Sequence, residues 1–303
     1  MSYPQSGVVV KQSSTLTTLL ASAYAPCPGF GGACSGTARW EPAKGHVPRG
    51  FCGAGGPLDE VRLVLVCAEP GDPHPDESHG ADGAVSGQLE SASQYAWRAV
   101  RDGTDKFHRN PRLILDLCWP DTDFDTQMQW TWITDSVLCS ARVERGHVPV
   151  KMARECATRY LAPQLRLMKN AIVVVLGNKA QHRMTLAGIK GFECAGAAAP
   201  PHGNTNAARE SWVRIANVVR ARFPTESRYS EAQREWCRQY REATGFEPMM
   251  RGFEQGEATF GEAVSNSIHI YRQHANEVIA RLQDSLRNEN RETAIGMPRQ
   301  AFG

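Results

Sequence analysis

Three stretches of this chain of 303 residues end on side chains suited to acid–base chemistry. In Val61-Arg-Leu-Val-Leu-Val-Cys-Ala-Glu-Pro-Gly-Asp-Pro73, an apolar, β-branched run stops in a turn carrying Glu69, Asp72 and two prolines. Such a run reads as a buried strand. A carboxylate just past its carboxyl end lies where open α/β sheets keep their sites. An ordinary acidic turn fits the same residues. The second stretch, Trp130–Leu138, is rich in aromatic and β-branched residues, holds Asp135 and runs into Cys139. Asp135 suits a cap on the segment that follows as well as it suits recognition. The third is the loop Pro200–Asn206 with His202, whose imidazole serves equally as an acid or as a helix cap. Nine cysteines complete the set. In a reducing compartment they are small buried hydrophobes or metal ligands rather than disulfides.

These side chains need a frame. Strands are expected at Val61–Val66, Trp130–Leu138 and Ala171–Leu176, the last closed by Gly177. Helices are expected at Ser13–Tyr24, Leu89–Arg101, Met152–Lys169, Asn178–Leu186, Ala207–Arg222, Ser230–Ala243 and from Glu257 to about Arg291. Pro111–Asp116 reads as either a short strand or a helix end, and His74–Gly87 as a polar surface loop over the first turn. The Gly/Pro-rich stretch Ala25–Pro57 is weakly structured, with Trp40 and Phe51 pinning it to the body. Alternating strands and helices argue for a doubly wound α/β fold: three α/β/α layers with a mostly parallel central sheet. The expected division is an α/β domain over 1–224 and a helical extension over 225–303 packed on it.

Composition narrows the partners only a little. A net charge of +2 neither requires nor excludes a polyanion, and 41% hydrophobic residues suit a globular core. No run of eighteen apolar residues exists, and Met1–Thr18 lacks the pattern of a signal peptide. The expectation is a cytoplasmic monomer that neither crosses nor anchors to a membrane.

Taken in order, Ala68-Glu69-Pro70-Gly71, Ile133-Thr-Asp-Ser-Val-Leu-Cys139, Ile172–Gly177 and Pro201-His202-Gly203-Asn204 resemble the signature of the uracil-DNA glycosylase superfamily. The likeness covers roughly residues 25–222 and leaves the C-terminal helices out. It implies DNA as the partner and a base flipped out of the stack as the substrate. Glu69 would stabilise the sugar cation and orient water, with Asp72 as a local rival, and His202 would donate to the leaving base. Ala68, Gly71, Asp135 and Asn204 would contact the base. Tyr95, Trp97 and Trp119 are candidates for an aromatic platform.

Two departures from that pattern carry information. Many members read the base with Asn where this chain has Asp135. An ionised Asp accepts but cannot donate, and carboxylates accept from the N4 amine of cytosine, so Asp135 favours a cytosine-type edge. In one branch a Tyr at the place of Gly71 excludes bases substituted at C5, and Gly71 leaves that space open. Plain cytosine fills the host genome. The expected substrate is therefore a 5-substituted cytosine, hydroxymethylated or glucosylated, in phage DNA, acted on by a monofunctional glycosylase of the phage-defence kind. Ordinary uracil excision in DNA repair, and non-catalytic binding of modified DNA, are the alternatives.

The iron–sulfur branches of the superfamily place two ligands where Cys139 and Cys156 stand and draw two more from the N-terminal segment, here Cys27 and Cys34, with Cys52 in reserve. The resemblance implies a [4Fe–4S] cluster on these thiolates. Zinc suits the same four, and plain reduced thiols need no metal. Six residues separate Cys27 from Cys34, wider than the usual C-x-x-C. Cys67, Cys118, Cys194 and Cys237 read as buried and inert. Phosphate contacts are expected from Arg142, Arg145, Lys151 and Arg209, with Arg214 beside them.

Overall fold

The computed structural model describes residues 13–24, 26–75, 77–79, 85–120, 122–144, 146–201, 203–225, 231–244, 248 and 260–271. His202, Arg145 and the C-terminal helix expected beyond Tyr271 lie outside the described residues. The chain divides into two compact units, one of residues 1–108 and 128–211, the other of 109–127 and 212–303.

The first unit is built on a mixed α/β sheet. Among the described residues its strands are β1 (Cys52–Gly53), β2 (Leu63–Cys67), β3 (Thr131–Asp135), β4 (Ile172–Leu176) and β5 (Glu193–Ala195), in the order β1-β3-β2-β4-β5. Only β1 runs antiparallel. Every residue of β2 and β3 is buried, which is why β2 reads as an unbroken apolar run and β3 as a β-branched and aromatic one. Cys67 pairs with Asp135 and Val66 with Val175, so β2, β3 and β4 end together. From β2 the chain goes to β3 on one side, then crosses back to β4 on the other. The crevice between the carboxyl ends of β2 and β4 is thus the point where strand order reverses, the usual place for a site in such sheets.

The helices are α1 (Ser14–Ala21), α2 (Val85–Asp102), α3 (Lys106–Cys118), α4 (Phe124–Gln129), α5 (Val150–Cys156), α6 (Ala162–Leu167), α7 (Asn178–Leu186), α8 (Thr205–Arg222), α9 (Glu231–Thr244) and α10 (Phe260–Tyr271). Helix α7 has the bounds expected for it. Between α5 and α6 the backbone winds as a π-helix over Ala157–Leu161, so the expected single helix holds one widened turn. Pro111–Asp116 is helix, not strand. Every α3 residue from Asn110 to Cys118 is buried, which hides the helical period in the sequence. β1 and β5 are too short to leave a strand signal. No helix among the described residues is long and apolar enough to cross a membrane.

The second unit has a core of its own, with Trp119, Trp212, Trp236 and Tyr240 buried. There Arg112 Nε donates to Asp116 Oδ2 at 2.9 Å and Gln127 Nε2 to Asp116 Oδ1 at 3.1 Å. Tyr240 reaches the Ser267 carbonyl at 3.3 Å.

Candidate active site

Glu69 stands two residues past the end of β2, at the reversal point. Lys179 Nζ lies 3.2 Å from Glu69 Oε1, and Arg183 Nη1 lies 2.6 Å from Oε2. Both cations come from α7, one turn apart and on one face. The Arg183–Glu69 contact is close but off the hydrogen-bond line, and Oε2 has no aligned donor among the described residues. Arg183 aims instead at the Ala68 carbonyl, at 2.7 Å, and at Ser136 Oγ, at 3.3 Å. Ser136 Oγ also donates to the Ala68 carbonyl at 2.6 Å, and the Val137 amide reaches the same oxygen at 3.1 Å. One guanidinium therefore ties together the chain just after β2, β3 and β4, with the acid in the middle.

Asp135 ends β3 opposite Cys67. It is 2% exposed, and its Oδ1 has no hydrogen-bond partner among the described residues. Gly50, at φ +82°, packs against it so closely that a Cβ there would lie 1.9 Å from Asp135 Oδ2. Burial pushes this carboxyl well above the usual range, and the charge of Glu69 pushes it the same way. Arg183 and Arg49 pull it down by less. Two carboxyl groups from adjacent strand ends thus occupy different environments: Glu69 between two cations, Asp135 buried with its carboxyl held above the usual range.

The segment 69–79 was expected as a turn followed by a surface loop, but Glu77 and His79 are buried. Arg49 holds them in. Its Nε lies 3.1 Å from Glu77 Oε1, its Nη1 donates to Ser140 Oγ at 2.8 Å, and its Nη2 donates to the Gly71 carbonyl. Ser140 Oγ donates to the same carbonyl at 2.8 Å. His79 Nε2 lies 2.9 Å from Glu77 Oε1, and Tyr95 stacks edge-on to His79 with ring centroids 6.2 Å apart. Burial alone would raise Glu77. The His79 hydrogen bond and the Arg49 charge bring it below the usual carboxylate value.

The other expected residues stand in varied surroundings. Asp72 is turned outward onto Arg39, 3.2 Å away, in an exposed ion pair. Gly71 is exposed, and a Cβ on it would meet only Glu144 Oε1, at 3.5 Å. Tyr95 is half-buried, whereas Trp97 and Trp119 are buried. Asn204 is exposed just before α8, and Arg209 is half-buried on that helix. Arg142 is exposed and reaches the Gly36 carbonyl at 3.4 Å, and Lys151 is exposed in the first turn of α5. Reading the sequence did not single out Arg49, Gly50, Glu77, His79, Lys179 or Arg183. Lys179 and Arg183 alone left a signal, two cations four residues apart at the start of the helix after a buried strand.

Cys27, Cys34, Cys139 and Cys156 line one cavity with Ala23, Phe30, Met152 and Tyr160. All four thiols are free. A Cβ on Gly29 would lie 3.0 Å from Cys34 Sγ and 3.3 Å from Cys27 Sγ, so this glycine lets the two sulfurs share one side of the cavity. The Gly29 amide donates to Cys27 Sγ at 3.2 Å, and the Leu138 amide donates to Cys156 Sγ at 3.4 Å. Burial pushes the Cys34 thiol up to about 11 and the Cys156 thiol up to about 12, and Cys139 also rises. Cys52 lies in β1 opposite Ile133, away from the cavity lining, and Cys194 is half-buried rather than buried.

The donor set and the glycine cradle fit a polynuclear iron–sulfur group. Zinc would take the same four thiolates, and among the described residues no group of three or more His, Cys, Asp or Glu side chains is placed to hold a metal ion.

No family model matches the chain, and no curated protein matches it.

Proposed function

We propose that the chain is a DNA glycosylase that hydrolyses the N-glycosidic bond of an extruded, 5-substituted cytosine. One observation carries this reading: two carboxyl groups stand at adjacent strand ends in different surroundings, Glu69 between Lys179 and Arg183, and Asp135 buried with its carboxyl raised above the usual range. Pairs of acids separated in this way divide the labour of breaking a glycosidic bond.

A neutral Asp135 carboxyl matches the cytosine edge, its C=O accepting from N4–H and its O–H donating to N3. Passing that proton to N3 lets the base leave as a neutral molecule while the C1′–N1 pair departs with it. The sugar is left as a cation. Glu69 faces that cation and orients water, whose attack at C1′ and loss of a proton complete an abasic site. Arg183 keeps Glu69 at the strand end. Gly71 leaves room beside C5, and Glu144 offers a carboxylate there for the hydroxyl of a hydroxymethyl or glucosyl group. A base of this kind is found in phage DNA, and the reading is one of defence inside the cytoplasm.

Uracil excision is the second reading, because a neutral carboxyl also matches uracil, accepting from N3–H and donating to O4. The two part at the proton, since N3 of uracil already carries one.

For Cys27, Cys34, Cys139 and Cys156 we propose a [4Fe–4S] cluster whose contribution is structural, tying the N-terminal segment to the segment that carries Asp135. The cysteine on Asp135's own segment, Cys139, makes this link direct.

The test is to offer duplexes containing uracil, cytosine, 5-hydroxymethylcytosine or its glucosylated form and to identify released base by mass spectrometry. Release confined to the substituted cytosines is expected. Release of uracil alone would favour the second reading, and binding without release from any duplex would make the protein a non-catalytic reader of modified DNA.

A further inference from the structure

We propose that Lys179 gives this site a second activity, cleavage of the DNA strand at the abasic sugar through a Schiff base. The proposal rests on the glycosylase reading of Glu69 and departs from the monofunctional expectation. Lys179 Nζ is 3.2 Å from Glu69 Oε1, and Glu69 is the carboxylate that the glycosylase reading sets at C1′. An amine so near the acid that faces C1′ is within reach of C1′ itself. The Lys179 side chain is 57% exposed, on the first turn of α7 beside the reversal point, so its stem is free to swing by the few ångströms required. Arg183, the other cation on Glu69, is buried, fixed to the Ala68 carbonyl and unable to give up a proton. Of the two, only the lysine has the chemistry of a carbonyl nucleophile.

The steps balance without any further reagent. Once the base has gone, Glu69 Oε1 takes a proton from the Lys179 ammonium. The amine attacks C1′ of the ring-opened aldehyde, its own proton passing to the carbonyl oxygen; Glu69 returns the proton it took, that oxygen leaves as water, and an iminium joins Nζ to C1′. Glu69, ionised again, takes a C2′ proton, whose bonding pair forms the C2′=C3′ bond as the C3′–O bond breaks with the 3′ phosphate as leaving group. Water then hydrolyses the iminium, returning the amine and an unsaturated aldehyde.

The test uses the full chain and a duplex in which the abasic site has been made beforehand, so that it does not depend on base release. Borohydride reduces an iminium to a stable secondary amine, which would link protein to DNA. The expected result is a borohydride-dependent adduct that maps to Lys179 by peptide mass spectrometry. Lys179→Arg keeps the ion pair with Glu69 and the fold but cannot form an imine, so the adduct should fall at least tenfold. No adduct, an adduct on another residue, or an undiminished adduct with Lys179→Arg would overturn the proposal and leave Lys179 as a plain ion-pair partner. Free-base release from a substituted-cytosine duplex, measured in parallel, reports on the glycosylase reading separately.

Discussion

A methyl group at Gly50 would lie 1.9 Å from Asp135 Oδ2, on a backbone at φ +82°, so residue 50 is confined to glycine by both its contact and its conformation. Gly50→Ala is expected to cost about 1–3 kcal/mol from overpacking and strain, measured by denaturant unfolding. The overlap, unlike the backbone strain, should be relieved in Gly50→Ala/Asp135→Ser. Asp135 itself makes a prediction with a definite sign. Its folded value is raised above the roughly 3.9 of an unfolded Asp, so between the two the folded chain holds a proton that the unfolded chain has lost. Its contribution to stability therefore falls as pH rises through that window. Asp135→Asn should flatten the loss and leave the protein more stable at neutral pH. The same change removes the proton offered to N3, and release of a cytosine-type base should fall by about 10²–10⁴-fold while any action on uracil is spared. Equal losses on both bases would refute the proton role. On the proposed reading Gly71→Tyr should fill the space beside C5 and reject substituted cytosine without lowering thermal stability, since among the described residues only Glu144 would meet a Cβ there.

At the scale of elements, two devices hold the strand ends in place. The first is Arg49, which joins the turn after β2 to Ser140 and to the buried Glu77–His79 pair. Removing one partner of a buried ion pair leaves the other uncompensated, so Arg49→Ala should cost about 3–5 kcal/mol and Arg49→Lys less. Glu77 is depressed in the folded chain, so its contribution is present above the unfolded carboxylate value and is lost as pH falls through its own lower value. Glu77→Gln should accordingly blunt acid unfolding, seen as a smaller drop in Tm between neutral and acidic buffer. The second device is the thiol cavity. Cys156 accepts from the Leu138 amide, and the Leu138 carbonyl accepts from the Arg49 amide, so cavity and acid-bearing segment share one short piece of backbone. Cys139→Ser should lose iron and the brown thiolate-to-iron absorbance, lower Tm and weaken base release together. Full iron content in that variant would remove Cys139 from the ligand set.

Over the whole molecule, what could be read beforehand follows from how each feature is made. β2 and β4 are apolar throughout and all but fully buried, so they left continuous apolar runs; β3 left a β-branched and aromatic one, and α7 follows β4 with its cations in helical spacing. β1 and β5 are two and three residues long, and α3 is buried all round with Pro111 inside it, so neither period survives in their residues. Glu69 and Asp135 were legible because each ends a strand. Arg49 and Gly50 were not, because they lie in a Gly/Pro-rich stretch and matter only through contact with residues far along the chain. The four cysteines were gathered by resemblance across an unusual six-residue gap, and the structure gathers the same four around one cavity. The central claim is that Glu69 and Asp135 work as one acid pair on one extruded base. Its most direct test is single-turnover release of free base from a 5-hydroxymethylcytosine duplex by the wild type, Glu69→Gln and Asp135→Asn, with DNA binding measured alongside. Release by the wild type is expected, with losses of about 10²–10⁴-fold in both variants and binding retained. Release at the wild-type rate by either variant would contradict it.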